Sequence, residues 1–209
     1  MTDIRSATGE KHRLFRNGLL LTGSNLLDKL LFFIINVIIA RFLPVEQYGE
    51  YIAALEYATV FSALCDAGIA AAIIRFISRK RTDRKLSCQY FSTSLVLKSV
   101  TSCVMYVLMC SCLLLTRYNA STIRLILVMG VIRIAADFCS SCYAFYDAEE
   151  SFSTSTYISM SLSLGLLGST ILVLFLNGNN YAIAVTRCVI TVLFTAWLFF
   201  FTMRKTGFS

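Results

Sequence analysis

Apolar residues run along the chain in six long stretches, at about 18–40, 48–74, 86–115, 123–146, 156–176 and 181–203. Each reaches the ~20 residues that a helix needs to cross roughly 30 Å of hydrocarbon. A helix satisfies its own backbone in lipid, and a lone strand does not. A barrel would need strands of about ten residues that alternate polar and apolar positions, and these runs are too long and too continuously apolar for that. The pattern predicts an all-α integral membrane bundle of six transmembrane helices over 17–203, with a basic segment at 1–16 and a tail at 204–209. The only proline, Pro44, follows Arg41-Phe42-Leu43 and stops the first helix, since its ring cannot continue one. Asn177-Gly178-Asn179-Asn180 turns the fifth stretch into the sixth, Gly and Asn both tolerating positive φ. The first stretch is too long for a cleaved leader and no small-x-small site follows it.

Composition agrees. Of 209 residues, 57 % are hydrophobic and 15 % charged, against about 45–50 % and about 25 % in soluble domains. Disordered, collagenous and coiled-coil chains are excluded, and so few charges would leave a soluble domain with large apolar patches. All eight cysteines fall within the apolar stretches, where Cys acts as a small hydrophobe. Cys139 and Cys142 form a C-x-x-C that reads as small-residue packing, and Gly165, Gly168 and the serines from Ser159 to Ser169 give the fifth helix a small face for close approach. There is one His, and no P-loop, G-x-S-x-G or H-E-x-x-H is present. Asp66-Ala67-Gly68 lacks the further aspartates that a membrane phosphotransferase uses to hold two metals. No enzyme activity, metal or cofactor is expected.

The net charge of +7 does not indicate a nucleic-acid partner, because the basic residues are distributed topologically. Twelve flank the ends that six crossings place together, namely Arg5, Lys11, Arg13 and Arg16, the run from Arg75 to Lys85, and Arg204 with Lys205. Arg41, Arg117 and Arg124 are the three on the other side. Cytoplasmic loops carry the excess of bases, so both termini are expected in the cytoplasm, with the basic clusters near anionic headgroups.

Four bases (Lys29, Lys98, Arg133, Arg187) and four acids (Asp28, Glu56, Asp66, Asp137) lie inside the spans. A charge at the bilayer centre costs about 2.5–3.5 kcal/mol even on the lenient insertion scale, so these groups must face protein or a wet cavity. Helical spacing gathers them into stripes: Gly18, Thr22, Asn25, Lys29 and Asn36, with Asp28 at the edge; Glu56, Thr59, Ala63 and Asp66; Tyr90, Ser94, Lys98 and Thr101; and Arg133, Asp137, Ser140 and Ser141. Arg133 and Asp137 are i,i+4 partners. The expectation is four polar faces converging on one hydrophilic cavity, with Asn25, Asp28, Lys29, Asn36, Glu56, Asp66, Lys98, Arg133, Asp137 and Arg187 along a substrate or ion pathway.

The segment Ala40-Arg41-Phe42-Leu43-Pro44-Val45-Glu46-Gln47-Tyr48-Gly49-Glu50-Tyr51 resembles the A-R-x-L-G-x-x-x-Y-G-x-Y turn between the first two helices of Wzx-type polysaccharide flippases, in the multidrug/oligosaccharidyl-lipid/polysaccharide exporter superfamily. Asp66-Ala67-Gly68 with Arg75, and the stretch from Ala144 to Phe152, resemble the inner ends of that family's second and fourth helices. The resemblance implies translocation of undecaprenyl-pyrophosphate-linked oligosaccharide units across the bacterial inner membrane for O-antigen or capsule. It implies alternating access between two lobes, with cavity bases on the pyrophosphate and acids balancing them or binding a coupling cation. Expected partners are the lipid-linked oligosaccharide, membrane lipids, a second lobe, and polymerase or glycosyltransferase machinery. Family members have about twelve to fourteen helices, so the chain is expected to be an N-terminal lobe of the two-lobe transporter fold. Two rivals are a drug or cation antiporter of the same superfamily, which favours acids over bases in its cavity, and a truncated, non-transporting remnant or scaffold.

Overall fold

The computed structural model describes residues 2–66, 75, 84–116, 118–148, 152–176 and 178–206. These hold six helices: α1 Thr2–Phe42, α2 Val45–Asp66, α3 Arg84–Leu115, α4 Ala120–Ala148, α5 Phe152–Phe175 and α6 Asn180–Thr206. The chain is a helical membrane bundle. α1 begins well before the apolar stretch, at Thr2, and its spanning part is Thr22–Phe42. Five of the six helices are long and apolar enough to cross a membrane. The exception is α2, whose 22 residues suffice in length but include Glu46, Glu50, Glu56 and Asp66. The continuation of its apolar stretch to residue 74, the run of bases up to 83, and Glu149 and Glu150 lie outside the described residues. The same holds for the side chains of Asp66, Cys65 and Cys88.

The short connections have local causes. The last turn of α1 closes with Leu43 N donating to Ile39 O at 3.0 Å, and Pro44 O accepts from Tyr48 N at 2.9 Å to start α2. Asn119 O accepts from Ile123 N at 3.0 Å at the head of α4. At the end of α5, Gly178 N donates to Val173 O at 2.9 Å. A Cβ on Gly178 would stand 2.4 Å from Val173 Cγ1 and 2.9 Å from Val173 O, so only glycine fits that C-terminal cap.

α4 is the hub, contacting α2, α3, α5 and α6. α1 leans on α5 and barely touches α2, although only Leu43 and Pro44 separate α1 from α2 in the chain. The two therefore diverge from their shared corner, leaving an open cleft of about 560 Å³ between them.

Burial splits the interior in two. An outer cluster joins Ile35 and Ile39 of α1, Tyr51 and Ala58 of α2, Met109 of α3, Leu125 and Met129 of α4, and Ile183 of α6. An inner cluster joins Phe91, Cys139, Cys142, Phe145, Tyr146, Ile158 and Leu198. Along α4, Arg133 and Asp137 fall between the two clusters.

Candidate functional site: a mid-depth ionic layer beside an open cleft

Helical rise places most of the intramembrane charges at one level. Lys29 lies thirteen residues before the C-terminal end of α1 and Glu56 eleven residues into α2, about 20 Å and about 17 Å of axial rise. Arg133 and Asp137, thirteen and seventeen residues into α4, correspond to about 20 Å and about 25 Å.

Among the described residues, the charges of that layer do not share one hollow. They fall into separate settings, and the helix contacts explain why. α3 and α4 pack together, so their stripes meet. Lys98 is fully buried, its Nζ donating to Ser140 Oγ at 2.9 Å, and Ser140 Oγ in turn donates to Asp137 O at 2.9 Å. Asp137 accepts across to α2, from Ser62 Oγ at 3.0 Å. Arg133 lies in the same small pocket between α2, α3 and α4.

α1 and α2 diverge, so their stripes open outward. Thr22, Asn25, Lys29, Glu56 and Ala63 are exposed, and Asn36 is half-buried. Asn36, Arg41 and Glu56 line the cleft with Phe33 and Tyr48. Lys29 is four residues before Phe33 and so lies beneath it on the same helical face. Asn36 Nδ2 donates to Phe32 O at 2.8 Å, and Thr59 Oγ1 to Leu55 O at 2.7 Å, both local bonds. Asp28, next to Lys29, turns the opposite way: its carboxylate accepts from Ser163 Oγ at 2.8 Å and from Ser159 Oγ. This is the polar tie that seats α1 on α5. The serine face of α5 does that work, whereas Gly165 and Gly168 meet nothing within 4 Å of an added Cβ, so their expected role in close helix approach is not seen.

Toward the end of the bundle where α1 turns into α2, Arg187 of α6 is 6 % exposed and donates from Nη1 to Tyr51 Oη of α2. The residue before Tyr51, Glu50, ties three helix ends. It accepts from Ser121 Oγ of α4 at 3.0 Å and from Asn180 Nδ2 of α6 at 3.1 Å, while Asn180 Nδ2 also reaches Gln47 O at 3.3 Å. Replacing Glu50 by Ala strips two charge-assisted acceptors from part-buried donors. It is expected to cost about 1–3 kcal/mol, read as a lowered thermal unfolding midpoint, with Glu50→Gln recovering part of the loss.

Sequence reasoning did not single out Ser62, Ser102 or Gly130, and it met Tyr51 only as the last residue of the turn motif. Ser62 belongs to the Ala54–Ala58–Ser62 face that α2 turns toward α4, four-residue steps with small side chains. Gly130 had a visible signal, a glycine inside the run Val128-Met129-Gly130-Val131-Ile132, where it costs about 1 kcal/mol relative to Ala unless packing repays it. Cys139 and Cys142 are buried free thiols, with Cys139 Sγ 3.1 Å from Thr195 Oγ1. Among the described residues no His, Cys, Asp and Glu cluster able to hold a metal occurs.

No curated protein and no solved structure matches the chain. The profile described as polysaccharide biosynthesis protein matches residues 14–208. That match spans every helix from the inner part of α1 to the end of α6, and the turn whose residues suggested a polysaccharide flippase, Ala40 to Tyr51, lies within it. The chain is a multi-pass membrane protein that belongs to the polysaccharide biosynthesis protein family.

Proposed function

We propose that this six-helix lobe takes part in moving undecaprenyl-pyrophosphate-linked oligosaccharide units across the bacterial inner membrane, for O-antigen or capsule, with both termini in the cytoplasm. One observation carries the reading: Lys29 and Glu56 are exposed at matching depth on the two helices that bound an open cleft. Facing acyl chains, each would cost about 2.5–3.5 kcal/mol, so that face requires water, polar substrate or opposing protein. A cleft of about 560 Å³ falls in the range of small-ligand sites, about 300–1,000 Å³. Aromatic and aliphatic walls suit the isoprenyl chain and sugar faces. Lys29 supplies a cation for the pyrophosphate, whose charge must stay off hydrocarbon, and Asn25 and Asn36 add hydrogen-bonding groups on the same helix. Alternating access requires a second lobe against which this one rocks, and the α1–α2 face is where it would sit. Lys98, Arg133, Asp137 and Arg187 then hold the lobe together, and Asp28 seats α1.

The test is complementation of a strain that lacks its own flippase, using the intact gene product. Lys29→Ala is expected to lower surface polysaccharide about tenfold or more at unchanged protein level, the loss of one charge-assisted contact to phosphate, with Lys29→Arg restoring most of it. Wild-type polysaccharide from Lys29→Ala and from Lys29→Ala/Glu56→Gln alike would remove the cleft from the path. A changed drug-resistance profile without a polymer defect would support the antiporter reading instead.

A further inference from the structure

The small pocket between α2, α3 and α4 has a different character from the cleft. It holds about 20 Å³ of space for a water-sized sphere, and roughly 10–15 Å³ suffices for one water. Two buried polar atoms at its wall have no hydrogen-bond partner: Ser102 Oγ, on a residue 2 % exposed, and Arg133 Nε. Asp137 and Ser62, joined to each other, add to the polar lining, and Met105, Met109 and Tyr106 are among its other walls. A polar group buried without a partner costs about 1–3 kcal/mol, so two such atoms aimed into one space of this size point to an occupant.

The charges around the space select the occupant. A cation would meet the Arg133 guanidinium, with Lys98 one turn from Ser102 on α3. An anion would meet the Asp137 carboxylate. A small neutral group that both donates and accepts suits all of them. We propose that this pocket is a binding site for a single water molecule, which accepts from Arg133 Nε, exchanges a hydrogen bond with Ser102 Oγ and donates toward Asp137. Buried waters make about three such bonds. The water hydrates the interior half of the ionic layer, and the proposal stands independently of the export reading.

X-ray radiolytic labelling of the full chain in nanodiscs, in ¹⁸O water, tests this. Water bound at the pocket is converted to hydroxyl radical in place and oxidises the nearest side chain. Met109 lines the pocket at 2 % exposed, while Met129, at 1 % exposed, lies in the same outer cluster and does not line the pocket. Met109 is expected to take up ¹⁸O rapidly and Met129 to stay unlabelled. Ser102→Ala with Arg133→Gln is expected to abolish the Met109 signal. Ser102→Ala alone, which disturbs folding least, is expected to reduce it, with half-exposed Met203 unchanged as a reference. Equal labelling of Met109 and Met129, or a Met109 signal indifferent to Ser102→Ala and to the double variant, overturns the proposal. A Met109 signal that changes when choline replaces sodium overturns it too, in favour of a cation.

Discussion

Gly130→Leu is expected to abolish accumulation of folded protein. Gly130 is buried on the face of α4 that meets α3, and a Cβ there would stand 2.6 Å from Met109 Cε and 2.8 Å from Tyr106 Cε2. The terminal methyl of Met109 can swing aside for one carbon. The Tyr106 ring has less freedom, because its hydroxyl donates to Leu127 O at 3.3 Å. A leucine adds three further carbons and forces α3 off α4, taking Lys98 from Ser140 and closing the pocket beside Arg133. Overpacking costs about 1–3 kcal/mol where neighbours adjust and more where they cannot. Gly130→Ala, whose helix-propensity gain of about 1 kcal/mol offsets part of its crowding, should accumulate with a modestly altered unfolding midpoint. Size-exclusion profiles in detergent and thermal unfolding measure both. A Leu variant that elutes and melts like the wild type would mean that α3 does not seat on Gly130.

The second large effect is at Lys98. Truncation to Ala removes three carbons of a fully buried stem as well as its ammonium group, and deletions of that size leave cavities that cost about 2–5 kcal/mol. For a chain of this length each kcal/mol moves the midpoint by about 2–4 °C, so Lys98→Ala should lower it by on the order of 10 °C. Lys98→Met keeps the volume. Ser140 Oγ still has the Asp137 carbonyl as its acceptor, so Met should recover most of the loss, as apolar replacements of similar volume often do at buried ionic positions. If Met and Ala fall together, the charge rather than the stem holds α3 to α4.

Much of the architecture was legible before any coordinates, because continuous apolar runs longer than a bilayer is thick admit few alternatives. Pro44 and Gly178 marked their corners for steric reasons local to the chain. The ionic residues were legible as a set and not as an arrangement. Periodicity reports which residues share a face of one helix, and says nothing of which neighbour that face meets. The faces of α3 and α4 turned inward together, so Lys98 and Asp137 met α4 and α2. The faces of α1 and α2 were equally regular, yet α1 settled on α5 through Asp28, Ser159 and Ser163. That left Lys29 and Glu56 on the open side. Pro44 joins α1 to α2 in the chain, and tertiary bonds across 131 and 135 residues seat α1 on α5.

The placement of Arg133 and Asp137 between two apolar clusters also bears on biogenesis. A nascent α4 entering the bilayer alone would carry two ions to its centre with only each other as partners, and α3 alone would carry Lys98. Only four residues, 116–119, join these helices, so insertion as one hairpin lets Lys98 find Ser140 before either helix is left surrounded by lipid. Asp137 needs Ser62 of α2, which the ribosome has already delivered. The order of helices in the gene thus gives Lys98 and Asp137 their partners close to the moment of entry, whereas Asp28 of α1 waits for Ser159 and Ser163 of α5, and a circularly permuted chain beginning at α4 would delay Asp137 as well.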